Sequence, residues 1–135
     1  MIDTSVLISS LAGRWARDLL DAIGQGRLRP VVSSALLDEL RDVMGRERLR
    51  RWFTAADAED VTSVLAAQGL VIEPRVVVNA CRDPNDNYLL SLAETSDADY
   101  LVTRDEDLLV LVEWKGTLIV PPRVFLRLLA QTRRQ

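Results

Sequence analysis

Short apolar runs alternate with longer segments of helical periodicity along this chain, and that alternation constrains the fold more than any other feature. Ile2 to Ile8, Leu28 to Val32, Leu70 to Glu73, Tyr100 to Thr103 and Thr117 to Val120 read as strands. Between the first two, Trp15, Leu19, Leu20 and Ile23 recur at helical spacing until Gly24 and Gly26. Ser33 or Ser34 can cap a second helix carrying Leu36, Leu37, Leu40, Val43 and Met44, closed by Gly45. Arg46 to Phe53 is a short charged helical piece. Thr54 then caps a longer helix with Ala58, Val61, Val64 and Leu65 on one face, stopped by Gly69.

Pro74 to Arg82 reads as a connecting loop, with Val76-Val77-Val78 open between edge strand and loop. Asp83-Pro84-Asn85-Asp86 starts the next helix: Asp83 at the cap, Pro84 at the first helical position, Asp86 three residues after the cap. Leu89, Leu90 and Ala93 follow on its buried face. Asp105 to Val112 reads as a short helix, and Pro121-Pro122 lead into a last one with Val124, Phe125, Leu128 and Leu129, whose Arg133-Arg134 end is expected to fray. Strands separated by helices predict an α/β fold, a three-layer α/β/α sandwich around a central, mainly parallel five-stranded sheet.

With 135 residues and 48% hydrophobic content, one domain over residues 1–135 can bury a core without disulfides. The single cysteine, Cys81, has no internal partner, and no signal peptide or membrane-length apolar run is visible, so a reducing cytoplasm and no membrane association are expected. The net charge of −3 argues against a uniformly basic nucleic-acid coat. The chain has 0 histidines, which removes the commonest acid/base group and metal ligand and leaves carboxylates to carry ionic chemistry.

In parallel sheets, ligands bind beyond the carboxyl ends of the strands, and the acids are judged by that rule. Asp3 lies in an apolar setting where an isolated carboxylate is costly; the alternative is a structural Asp turning the chain, with Thr4 and Ser5 in hydrogen-bond reach. At about 100° per residue, Glu39 falls beside the Leu36, Leu40 and Val43 stripe while Asp38 and Asp42 point away. Glu39 is then either a boundary residue or functional. Asp86 has a capping role as its alternative, Asp83 has that role by default, and Asp105 and Asp107 follow Thr103 at a strand end. Asp3, Glu39, Asp86 and Asp105 each stand at a strand end or early in a helix, placed to converge. Converging carboxylates repel unless cations join them, and Mg²⁺ or Mn²⁺ with oxygen ligands fits best. Such ions lower the pKa of a bound water, align it with a phosphodiester and stabilise the departing oxyanion.

Four blocks carry a family resemblance: Ile2-Asp3-Thr4-Ser5-Val6-Leu7-Ile8; Leu36-Leu37-Asp38-Glu39-Leu40; Cys81-Arg82-Asp83-Pro84-Asn85-Asp86-Asn87 with Leu90 and Ala93; and Ala98-Asp99-Tyr100-Leu101-Val102-Thr103-Arg104-Asp105-Glu106-Asp107-Leu108-Leu109. The chain resembles the PIN domains, and closely those that serve as toxins of bacterial and archaeal toxin-antitoxin pairs. Asp3, Glu39, Asp86 and Asp105 fall on the family's acidic positions; Thr4, Ser5 or Thr103 match its hydroxyl position, and Asp107 is a further supporting residue. The resemblance implies a Mg²⁺- or Mn²⁺-dependent endoribonuclease cutting single-stranded or structured RNA, a homodimer, and a cognate antitoxin as partner. Family members carry several apolar residues before the first Asp, whereas only Met1 and Ile2 precede it here. The first strand is therefore expected to be short, through a start lying upstream or a trimmed chain.

Other readings are weaker. A catalytically silent PIN fold that binds RNA or antitoxin keeps the architecture but leaves the acidic set without a purpose. A phosphoacceptor receiver domain needs a lysine after the last strand, and Lys115 lies before it; a dinucleotide fold needs a glycine-rich turn, which Thr4 to Ser10 lacks. DNA cleavage shares the phosphodiester chemistry. Arg14, Arg82, Arg104 and Arg123 are candidate phosphate contacts.

Overall fold

A computed structural model describes residues 1–13 and 15–132; Arg14 and the Arg133-Arg134 end lie outside the described residues. In chain order the elements are α1 (Thr4–Ala12), α2 (Ala16–Gly24), β1 (Val31–Val32), α3 (Ser34–Met44), α4 (Ala55–Gln68), β2 (Leu70–Val71), α5 (Pro84–Ser96), β3 (Tyr100–Val102), α6 (Glu106–Leu109), β4 (Glu113–Trp114), β5 (Thr117–Val120) and α7 (Pro122–Thr132), with a short 3₁₀ turn at Glu47–Leu49.

The opening stretch corrects one expectation. Ile2 makes a parallel bridge to Val102, with the Val102 N–H donating to Met1 O and the Asp3 N–H donating to Val102 O, each at 2.9 Å. The chain then leaves the extended path at Asp3 (ψ 138°), which caps α1, so Thr4 to Ile8 is helical where a strand was expected. Burial confirms the period: Val6 and Leu7 are buried while Ser5 and Ser9 are exposed.

The strand ladders also differ from the one five-stranded sheet expected. Among the described residues, β1 and β2 form a two-stranded parallel pair, and β3, β5 and β4 form a three-stranded sheet in the order β3-β5-β4. Within the latter, β3 and β5 run parallel, in register Leu101 to Ile119, and β4 is antiparallel to β5. The sequence reading missed β4. It joins β5 through Lys115 (φ 50°) and Gly116 (φ 91°), a two-residue turn whose positive φ angles match the twist of paired strands and favour glycine.

Local chemistry sets the helix boundaries. Ser33 caps α3 by accepting the Leu36 N–H at 3.2 Å. Thr54 and Asp57 form a reciprocal capping box at the start of α4. Gly69 ends α4 because a Cβ there would stand 2.5 Å from Leu65 O and 2.7 Å from Pro30 O, the close approach that brings β2 beside β1. The stretch Val76 to Val78 is loop, with Val77 fully exposed.

Adjacent residues of β3 divide the interior, as a period of two requires. Val102 belongs to a core with Val6, Leu19, Leu40, Leu65 and Phe125. Leu101 belongs to another with Leu90, Leu92, Leu108 and Ile119. The strand is thus packed on both sides, and its carboxyl end runs directly into the fully buried Thr103. The fold is α/β.

Candidate metal and active site

The site begins at that carboxyl end. Thr103 is fully buried, and its hydroxyl donates to Asp3 Oδ2 at 2.9 Å while its oxygen accepts the Asp105 N–H at 3.0 Å. Asp3 Oδ1 in turn accepts the Ser5 N–H at 3.4 Å, and Asp105 Oδ1 accepts the Asp107 N–H at 2.9 Å. Asp3 caps α1, Asp83 caps α5 by accepting the Asn85 N–H at 2.9 Å, and Asp105 caps α6. These carboxylates therefore sit where free N–H groups and helix dipoles favour negative charge, which offsets part of their mutual repulsion.

Asp3, Glu39, Asp86 and Asp105 line one open cleft of about 370 Å³, together with Thr4 and Asp83. Glu39 reaches it from α3 and is exposed; Asp86, in the first turn of α5, is only 4% exposed. Asp107 stands beside the cleft: one carboxylate oxygen each from Asp86, Asp105 and Asp107 lie within 4.8 Å of one another. Thr103 supports Asp3 from behind.

Burial pushes the Asp86 carboxyl up to about 6, reinforced by its hydrogen bond with Asp105 and the charges of Asp105, Asp83 and Asp107. Its Oδ2 is buried with no hydrogen-bond partner. A buried carboxylate with one unpartnered oxygen, grouped with two further carboxylates, fits a hard divalent cation, since oxygen donors at that spacing supply part of its shell and leave the rest to water. The residues present thus suit Mg²⁺ or Mn²⁺. Burial first, and then the charges of Asp86, Asp107, Asp105 and Asp83, push the Cys81 thiol above its ordinary value.

Two arrangements went unnoticed in the sequence. Asn87 clasps the loop before α5: its Oδ1 accepts the Ala80 and Cys81 N–H groups at 3.0 and 2.8 Å, and its Nδ2 donates to Cys81 O at 2.9 Å. Ser33 and Tyr88 share a 2.6 Å hydroxyl hydrogen bond that ties the start of α3 to α5. Tyr88 lines the cleft. The signal for Asn87 was its place four residues after the Asp83 cap, on the side of the helix facing the preceding loop. Tyr88 carried none, because its partner lies 55 positions away.

Of the candidate arginines, Arg82, Arg104 and Arg123 do not line the cleft. Arg82 pairs with Asp107 at 3.4 Å, Arg104 donates to the Ser9 hydroxyl at 3.0 Å, and Arg123 is exposed on α7. Arg14 is outside the described residues. No helix among the described residues is long and apolar enough to cross a membrane.

Among known proteins, residues 1–107 match the family described as PIN domain. The uncharacterized protein MJ1680 of Methanocaldococcus jannaschii is 28% identical over 116 residues, spanning 82% of this chain and 73% of that protein. No solved structure matches significantly.

Proposed function

Starting from the chain's membership of the PIN-domain family, whose members are generally metal-using nucleases, we propose that it is a Mg²⁺- or Mn²⁺-dependent endoribonuclease hydrolysing RNA phosphodiester bonds. One observation supports this above all: Asp3, Glu39, Asp86 and Asp105 line a single cleft in which a buried Asp86 oxygen has no partner. We take residues 1–135 as one domain, a three-layer α/β/α sandwich in which the two short sheets together make the middle layer.

In this reading Asp86 and Asp105 hold the cation, with Asp107 in support. When bound, such a cation supplies Lewis-acid activation and charge stabilisation for phosphodiester hydrolysis. Asp3 lines the same cleft, with one carboxylate oxygen held by the Thr103 hydroxyl and the other by the Ser5 N–H. Thr4 adds a hydroxyl at the cleft wall. Glu39 stands on the exposed α3 wall, where it can orient an attacking water against a phosphodiester lying in the cleft.

The resemblance to toxins of toxin-antitoxin pairs supports a role as the toxin, acting in the cytoplasm as a homodimer and held inactive by a cognate antitoxin. The test of the chemistry is direct. Purified protein is incubated with single-stranded RNA in Mg²⁺, in Mn²⁺ and in excess EDTA, beside an Asp3→Asn variant. Cleavage is expected with either ion and lost with chelator or in the variant; cleavage that persists in EDTA sinks the metal mechanism.

A further inference from the structure

Besides its carboxylates, the cleft is lined by Leu36, Leu89 and Tyr88, and none of the described lining residues is Arg or Lys. Among the described residues, a polyanion entering here meets five carboxylates, Asp3, Glu39, Asp83, Asp86 and Asp105, and no lining side-chain cation. The side-chain hydrogen-bond donors that these residues offer a phosphate are neutral.

Of the neutral side-chain donors that line the cleft, Thr4, Asn85 and Tyr88, Tyr88 has its hydroxyl fixed by a hydrogen bond to another side chain. Ser33 is fully buried, its oxygen accepts the Leu36 N–H at 3.2 Å, and its hydroxyl lies 2.6 Å from that of Tyr88. Ser33 has one proton to donate, and among the described residues the Tyr88 oxygen is its acceptor. A buried hydroxyl proton without an acceptor is costly, so Ser33 donates and Tyr88 accepts. The Tyr88 proton is then left over. Tyr88 is half-buried and lines the cleft.

We infer that the Tyr88 hydroxyl, held by Ser33, is a substrate-binding hydrogen-bond donor to a non-bridging phosphate oxygen of single-stranded RNA in this cleft. The inference rests on the nuclease reading. Tyr88 touches substrate, and Ser33 acts through it as a positioning residue.

The experiment compares wild type with Tyr88→Phe, which keeps the ring and its packing. Cleavage of oligo-U, oligo-A and oligo-C RNA is followed in Mn²⁺, and Mn²⁺ affinity is measured by titration calorimetry without RNA. Loss of one hydrogen bond to a charged acceptor predicts a fall in kcat/KM of about 10- to 100-fold, carried by KM and equal for the three bases, with Mn²⁺ affinity unchanged. Ser33→Ala is expected to show part of the same KM defect, and Ser33→Thr to restore it. Undiminished kcat/KM in Tyr88→Phe overturns the inference while leaving the nuclease reading intact. A defect confined to one base overturns the phosphate contact, and a parallel fall in Mn²⁺ affinity shows that the pair serves the metal site instead. Wild type that neither cleaves nor binds these RNAs removes the nuclease reading, and this inference with it.

Discussion

Thr103 and Asp3, 100 positions apart, are joined by a 2.9 Å hydrogen bond from the Thr103 hydroxyl to Asp3 Oδ2. The same hydroxyl oxygen accepts the Asp105 N–H, so one small buried side chain sets two acids at once. Replacing Thr103 by Val keeps the shape and deletes the hydroxyl, leaving a carboxylate oxygen and an N–H without their partner. Urea denaturation is expected to show a loss of about 1–3 kcal/mol, with RNA cleavage reduced under conditions where the variant is folded. Thr103→Ser should recover most of both. A Val variant as stable and active as wild type removes Thr103 from this role.

Asp86 makes the metal-free protein pH-sensitive. Its carboxyl rises from 3.8 to about 6 on folding, so between those values the native state keeps a proton that the unfolded chain releases. The contribution of this group to stability is complete below the unfolded value and is lost as pH rises through about 6. A shift of about two units corresponds to about 3 kcal/mol. In EDTA, Asp86→Asn is therefore expected to be more stable than wild type at neutral pH and above, and to lose that advantage in acid. Mn²⁺ should reverse the order at neutral pH by stabilising wild type alone. Parallel stability profiles for the two proteins in EDTA contradict the repulsion described for the cleft.

Glu39 separates chemistry from folding. It is exposed on α3 and belongs to neither apolar core. Glu39→Gln should change stability by no more than about 0.5 kcal/mol. Its cleavage rate should nevertheless fall at least about tenfold, the scale of a lost acid/base or water-orienting group. Full activity in this variant assigns Glu39 to the surface.

Asn87 tests how far the site depends on its supporting loop. Asn87→Ala removes three hydrogen bonds to Ala80 and Cys81, which hold the segment entering Asp83. A loss of about 1–3 kcal/mol is expected in thermal or chemical unfolding, since three hydrogen bonds to exposed and part-buried backbone groups, each worth about 1 kcal/mol, are removed. Mn²⁺ binding should weaken as the start of α5 loosens. Unchanged Mn²⁺ affinity in the folded variant separates the loop from the metal site.

Much of this was legible in the sequence because it rests on local chemistry. The Asp83-Pro84 start of α5, the Thr54 cap of α4 and the Gly69 stop follow from side chains acting within a few residues of themselves. Strand-end logic expected Asp3, Glu39, Asp86 and Asp105 to converge; all four line one cleft, while the carboxylate oxygens found within 4.8 Å of one another belong to Asp86, Asp105 and Asp107. The opening stretch was misread because Val6-Leu7-Ile8 is too short to distinguish period two from period 3.6. What decides it is remote, the pairing of Met1 to Asp3 with Val102, after which Asp3 caps a helix. The single five-stranded sheet failed for a related reason. Runs such as Leu28 to Val32 are apolar enough for long strands, yet the ladder includes only Val31 and Val32. The β4 strand is two residues long and was visible only through the Lys115-Gly116 turn.

The Thr103 linkage also governs when the site can exist. The position of Asp3 depends on Val102 and on Thr103, 100 positions further along the chain, and Thr103 is itself fixed by donating its N–H to Val120 O. Contacts between distant parts of a chain form only after the intervening segment has been made and folded. A nascent chain therefore carries Asp3, Glu39 and Asp86 without an assembled cleft until the segment up to Val120 has been made.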